Sequence, residues 1–492
     1  MTFFQIDPSL NDTILHGTEP ISIKIDLSYK ADDIQTIDHN SIESAVFYSN
    51  YEQTGIITST AEITFSKDHR VFSRTEITEI MILLSCGNNS TYLRRFTLYP
   101  DDSNLQEIKN GGSKIKYRLR LEDIPARIKR IESAKDWSTP QTIVDGTISD
   151  KEHPESSIFH LIVNKAGIES SDIESCSILL STPYTVLDRD TWTDLSDLAK
   201  TFKANIEGGT DKKLILSDSR YQNESQAADE IPELNENICY QVDEESAGEL
   251  QKNDIRLRWN KPERLEHQTI WKYDEQPVIY NSNLESSYPF SFAGEKRRIE
   301  QEPPVEAQYS ALLNGNKLPV VYGDQVDNQT IVGTRMQNQN GAVSIDEYDV
   351  ESHKDRALIK LSCSADDEIK NLNIDGRPIV MHQNCSCYKR DEDSIETHGL
   401  KVMNVTGRYF LDADWNGKPQ YEDWVDSTLE ALKTKRKRYT LYTQYCIFFI
   451  RTGALTYFKR LDGSRTLCKI TNLEMNYTKE DGFEIKTELT EE

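Results

Sequence analysis

The chain holds 492 residues, with 57 lysines and arginines against 82 aspartates and glutamates, a formal net charge of −25. That length exceeds one ordinary core and implies three or four domains, while 37% hydrophobic residues favour small domains or an assembling subunit over one thick-cored enzyme. With 22 glycines and 16 prolines the chain is neither collagenous nor low-complexity, and a pI near 4.9 disfavours non-specific binding to DNA phosphates.

The opening stretch, MTFFQIDPSLNDTILHGTEP, has neither the basic nor the apolar region of a secretory signal. The densest apolar run, Cys446 to Ile450, is far too short to span a bilayer. Folding in a cytosol is therefore expected. The cysteines (86, 176, 239, 363, 385, 387, 446 and 468) are scattered through a large chain, so they are expected to be reduced and partly buried.

Residues 1–150 read as strands of a barrel-like antiparallel domain. Ile21, Ile23, Ile25 and Leu27 alternate with polar residues, as do Ile115, Tyr117, Leu119 and Leu121, which is the period of a half-buried sheet. Gly55 to Phe65 is rich in β-branched residues, and Asn110-Gly111-Gly112 is a turn signal. Arg127-Ile128-Lys129-Arg130 reads as one face of a helix or strand.

Residues 151–235 read as a small α/β domain. A short helix carries Ile158, Phe159, Leu161, Ile162 and Val163, with Gly167 placed to end it. A second carries Trp192, Leu195, Leu198, Ala199 and Phe202, with Thr191 and Asp194 in the pattern of a capping box. Lys213 to Leu216 reads as a strand, and the polar stretch 218–252 as a loop or crossing. Residues 236–345 read as a β-rich domain, with strands at Ile255–Trp259 and Pro277–Tyr280 and a polar connector at 294–306.

Residues 346–492 read as a second barrel-like domain with one helix, from Tyr421 to about Lys435, whose face is Trp424, Val425, Leu429 and Leu432. The basic run Lys433 to Arg438 reads as the solvated end of that helix, with an anionic partner as the other reading. Strands follow around 445–450, 466–477 and 483–489, with Asp462-Gly463 and Asp481-Gly482 as hairpin turns. The fold class expected is mainly β with α+β insertions: several small antiparallel barrel or sandwich domains plus a small α/β domain.

No Walker A loop, dinucleotide fingerprint, HExxH, GxSxG or kinase signature is present. The strongest metal candidates are His382, Cys385, Cys387 and His398, two thiols and two imidazoles of the kind that hold tetrahedral zinc. Cys-x-Cys is poor zinc spacing, so half-buried cysteines and surface histidines are the preferred reading. Asp188, Asp190 and Asp194 beside Trp192 make an acid-plus-aromatic group of the kind that binds sugars; helix capping with a core Trp is the plainer reading. No catalytic residue and no cofactor are assigned.

Three stretches carry a resemblance. They are Gly55 to Phe65 with the strands leading to Leu121-Glu122-Asp123; Pro154 to Ile168, a helix ending in Ala-Gly-Ile; and Thr191 to Lys200 through Lys213-Leu214-Ile215-Leu216. In type and order they resemble the baseplate-hub or tail-tip proteins of tailed phages and phage-derived particles. Coverage is best over 20–220 and weak from 240 onward. The resemblance implies a non-enzymatic hub: a homotrimer forming a pseudo-sixfold ring that joins the tail tube to the spike or tip and leaves an acidic channel for DNA. The partners it implies are further copies of the chain, a tail tube or distal tail protein, and a spike, fibre or tape-measure protein. DNA would only pass through, and no stable membrane insertion is expected. The place implied is the virion tail tip or baseplate, assembled in the bacterial host cytoplasm. A receptor- or carbohydrate-binding tail protein is the alternative, and a tail-associated cell-wall hydrolase a weaker one.

Overall fold

The computed structural model describes residues 21–29, 34–52, 54–67, 77–86, 93–100, 106–108, 115–132, 141–209, 213–218, 231–272, 278–280, 305–312, 320–322, 325–326, 329–330, 334–338, 343–350, 356–363, 367–415, 417–444 and 452–492. The expected turn at Asn110-Gly111-Gly112, the apolar run at 446–450 and most of the connector at 294–306 lie outside these residues.

The molecule is mainly β, with a few helices inserted between sheets. The first strands are β1 (Ile21–Tyr29), β2 (Ile42–Tyr51), β3 (Ile57–Lys67), β4 (Ile77–Cys86), β5 (Leu93–Pro100) and β6 (Ile115–Glu122), followed by α1 (Ile124–Glu132) and β7 (Gln141–Ser149). Their alternation is realised: Ile23, Ile25 and Leu27 are buried, and so are Tyr117, Leu119 and Leu121, while Arg118 and Arg120 reach outward to Glu62. Next come α2 (Ile158–Lys165), β8 (Ile178–Leu187), α3 (Thr191–Phe202), β9 (Ala204–Glu207) and β10 (Leu214–Asp218). After them lie β11 (Gln241–Ser246), β12 (Asp254–Arg264), β13 (Asp367–Arg390), α4 (Glu392–His398), β14 (Val402–Gly407) and α5 (Gln420–Leu432). The chain closes with β15 (Lys437–Thr443), β16 (Leu455–Lys459), β17 (Arg465–Thr478) and β18 (Gly482–Glu491).

One large sheet joins the two ends of the chain. Its order is β11-β15-β18-β17-β2-β3-β6-β5-β4-β1 and then the strand Ile34–Ile37. The path is open, with two free ends, so no closed barrel forms among the described residues and the strands expected of two barrel-like domains share one open sheet. The seam is the antiparallel pair β2–β17, in register from Ser44 opposite Thr478 to Asn50 opposite Asn472. Its inner face is one core that takes Phe47, Ile63 and Phe65 from the early strands and Phe458, Ile470 and Ile485 from the late ones.

A second core belongs to the α/β part. A three-stranded sheet (Ile173–Ser175, β10, β9) and the β7–β8 pair pack with α2 and α3 through Phe159, Leu195, Leu198 and Phe202. Tyr409 and Leu411, from far along the chain, enter the same core. The expected helices here are present, but the cap of α3 is Asp190 rather than Thr191: its Oδ1 accepts the Thr193 N–H at 2.9 Å. Gly167, with φ +82°, turns the chain beyond α2 as expected.

The third unit is β13-β12-β14, with α5 on its inner face around Ile255, Trp259, Phe410, Trp424 and Leu429. β13 has 24 residues, about 80 Å of extended chain. Its C-terminal half pairs with β12 and its N-terminal half with short strands such as Gln268–Lys272 and Thr334–Asn338. The helix α5 ends at Leu432, short of the expected Lys435, and the basic residues lead straight into β15. The seven-residue α4 has no buried residue and so no apolar periodicity to announce it. Both predicted hairpin turns are present, with Gly463 at φ +84° and Gly482 at φ +80°.

Candidate functional site

The acid-plus-aromatic group at the start of α3 proves to be a structural ion network. Arg189 donates from Nε and Nη2 to Asp194 Oδ1 at 2.9 and 2.6 Å, and from Nη1 to Asp197 Oδ2 at 2.6 Å. Arg408 pairs with Asp188, 220 residues earlier in the chain, at 2.6 Å and donates to the Val186 carbonyl. Asp194 is fully buried, and burial pushes its carboxyl up while Arg189 pulls it down. Tyr409 is buried beside this network and its hydroxyl is pushed well above the usual range by burial. Trp192 is half-buried, with the Lys129 ammonium 5.4 Å from its ring centre. The network thus holds the 186–189 turn both to α3 and to Arg408. Arg189, Arg408 and Tyr409 carried no local signal in the sequence, because their partners are chosen by the tertiary fold.

Leu121-Glu122-Asp123 forms a second latch. Asp123 Oδ1 accepts the Ala126 N–H and Oδ2 the Ser59 N–H, each at 2.8 Å, so one carboxyl caps α1 and ties it to β3. Glu122 receives both Nε and Nη2 of Arg130, at 2.9 and 2.6 Å. Burial pushes the Asp123 carboxyl up to about 8, against the pull of its two N–H donors. A folded value above the unfolded one means a contribution that is complete below about pH 4 and lost as pH rises through about 8. Asp123→Asn keeps one of the two acceptors and cannot ionise. Its stability relative to the native chain is therefore expected to improve as pH rises from about 4 to about 8, read from denaturant midpoints. A difference independent of pH would refute the assignment.

The metal candidates are dispersed. Cys385 and Cys387 lie on the inner face of β13, opposite Trp259 and Leu257, and pack half-buried against the third core. Burial raises the Cys387 thiol above its ordinary value. A bulge at Asn384 (φ +60°) separates them from His382, whose Nε2 meets Glu263 Oε2 at 2.5 Å. His398 ends α4 on an exposed turn. Among the described residues no group of three or more His, Cys, Asp or Glu side chains is arranged to hold a metal ion.

Four of the five cations of the basic run are paired within the chain, Lys435 being the exception among the described residues. Lys433 pairs with Glu430 and Asp391, Arg436 with Glu492, Lys437 with Glu244, and Arg438 with Glu245 and Glu249. The close Ser157 Oγ–His160 Nδ1 contact, 2.7 Å, is buried, and burial lowers the imidazole. It packs α2 and presents no nucleophile to solvent.

The exposed features are faces of sheets. On the outer face of the large sheet one row crosses six strands in register, Gln241, Tyr442, Lys486, Glu474, Tyr48 and Thr60, and ends at the buried Glu122 under α1. Near its middle Val46 and Tyr48 stay 40% and 41% exposed, an apolar island framed by Glu62, Glu474 and Asn476.

The sequence matches no protein-family model and no curated protein. Among solved structures, the chain is similar to the 43 kDa tail protein of prophage MuSo2 from Shewanella oneidensis, with 8% identity, 96% of this chain and 98% of that chain covered, and a TM-score of 0.45. It is similar to a tail protein of Neisseria meningitidis MC58, with 7% identity, 96% and 97% covered, and a TM-score of 0.47. It is also similar to a prophage tail protein of Listeria monocytogenes EGD-e, with 6% identity, 95% and 94% covered, and a TM-score of 0.40. Each of these three solved structures is of a tail protein, and each match spans nearly the whole of both chains.

Proposed function

We propose that the protein is a structural hub of a phage tail tip or baseplate, or of a phage-derived particle. Three copies form a ring of sixfold-like symmetry that joins the tail tube to the spike or tip and encloses an acidic channel for DNA. The observation that carries this reading is the sheet uniting both ends of the chain. Its outer face is a broad, registered polar surface with Val46 and Tyr48 exposed within it, the composition of an assembly face rather than a reaction cleft. The segments 1–150 and 346–492 each supply a run of strands to that sheet and are read as the two ring-forming parts, with 151–235 and 236–345 between them. A net charge of −25 suits a wall along which DNA slides without sticking. The resemblance of Gly55–Phe65, Pro154–Ile168 and Thr191–Leu216 to tail-hub segments supports the same reading. The role is structural and involves no catalysis.

Light scattering on the purified chain, with micrographs of the same peak, tests it. The expected species is about 170 kDa, three times 56.6 kDa, and ring-shaped. A 57 kDa monomer that is also absent from purified tail particles would overturn the reading.

A further inference from the structure

The outer face of β13-β12-β14 has a chemistry unlike the rest of this acidic chain. Its inner face is filled by α5, and among the described residues nothing covers the outer one. Two registered rows lie there: Tyr388, Arg256 and Asn404, then Ser386, Arg258 and Thr406, all exposed. No carboxylate stands in either row. Tyr388 is 69% exposed. Tyr and Arg are the side chains over-represented at the centres of protein interfaces, where Glu and Lys are depleted.

The charges on this face are unequal. Arg256 is held bidentately by the buried Asp254, at 2.9 and 2.8 Å, and Arg390 is shared between Asp254 at 4.0 Å and Glu392 at 3.7 Å. Arg258 has no carboxylate partner among the described residues. Asp254 therefore fixes its neighbours and leaves one outward guanidinium unspent beside an exposed aromatic ring. One free guanidinium is too little to hold a polyphosphate, which needs several cations at once against a net charge of −25. It is the complement of a single carboxylate received in fork geometry, with apolar contact from the ring.

The geometry points to this face as the docking surface for a carboxylate-bearing segment of a different tail protein, with Arg258 taking the Asp or Glu side chain and Tyr388 packing over it. The inference rests on the hub reading and adds the chemistry of one partner to it.

Purified particles and the free chain are treated with phenylglyoxal and, separately, with a tyrosine-nitrating reagent, and both sites are read by mass spectrometry. Arg258 and Tyr388 are expected to react in the free chain and to lose that reactivity in the particle. Particles carrying Arg258→Lys are then treated with a carbodiimide. The introduced amine is expected to form an amide with an Asp or Glu of another protein. Equal reactivity in particle and free chain overturns the inference and leaves the hub reading intact. So does protection that nuclease treatment removes, which assigns the face to nucleic acid, or coupling only to a second copy of this chain. If the chain is absent from the particles, the hub reading fails and this inference falls with it. The labelling arm uses the native protein, so it does not depend on how the Arg258→Lys variant folds.

Discussion

Replacing Arg189 by methionine is expected to cost about 3–5 kcal/mol of folding stability, because it strands a fully buried carboxylate. Asp194 Oδ1 takes two hydrogen bonds from that one guanidinium, and Asp194 Oδ2 has no hydrogen-bond partner. The double substitution Arg189→Met with Asp194→Leu is expected to recover most of the loss, since an apolar pair of similar volume avoids the desolvation that the ion pair must offset. Burial already raises the Asp194 carboxyl. Without Arg189 it rises further, so the deficit of the single variant should shrink as pH falls and the group takes up a proton. Denaturant midpoints of the native chain, both single variants and the double across pH measure this. A single variant of near-native stability at neutral pH would show that Arg189 is not the partner that matters.

Gly55→Ala is the second change of large effect. Gly55 has φ +99°, and a Cβ there would stand 2.4 Å from the Ala204 carbonyl oxygen, a backbone atom that cannot swing away. The Gly55 carbonyl accepts the Ile206 N–H at 3.2 Å, and Ile56 bridges to Ile206. This is the seam where the large sheet meets the α/β part, so the seam must open or the strand must shift. The expected cost is about 3 kcal/mol or more, from strain and overpacking together. Gly167→Ala is the control. It also has positive φ, +82°, but nothing lies within 4 Å, and its cost should stay near 1 kcal/mol. Thermal melts give the ranking. Limited proteolysis should show the Gly55 variant cleaved first near this seam. Equal stabilities for the two variants would mean that the close approach to Ala204 is not a constraint.

These two sites mark how far the sequence could be read. Val46 and Tyr48 look like any residues of a β-branched, aromatic strand, and only their register against Glu474 and Asn476 shows that they lie on an exposed face. The candidates Asp188, Asp190 and Trp192 had their plainer reading in helix capping, and Asp190 is indeed the cap of α3. Arg258 was legible as one polar residue in an alternating strand. That it has no carboxylate partner among the described residues, while Arg256 beside it is pinned to Asp254, depends on which strands flank it.

The sequence by itself determined the alternation of the β strands, helices α2, α3 and α5, the hairpins at Gly463 and Gly482, and the mainly β class. Each of these follows from residues a few positions apart, because burial of one face imposes a period of two or 3.6 and turns need glycine at positive φ. Only the tertiary structure decided that β2 pairs with β17 across more than 400 residues, that Arg408 reaches Asp188, and that four of the five cations at 433–438 are met by the chain's own acids. Pairing partners are selected by register and shared burial among strands that propensity alone makes interchangeable, and that choice is made only when the whole core closes.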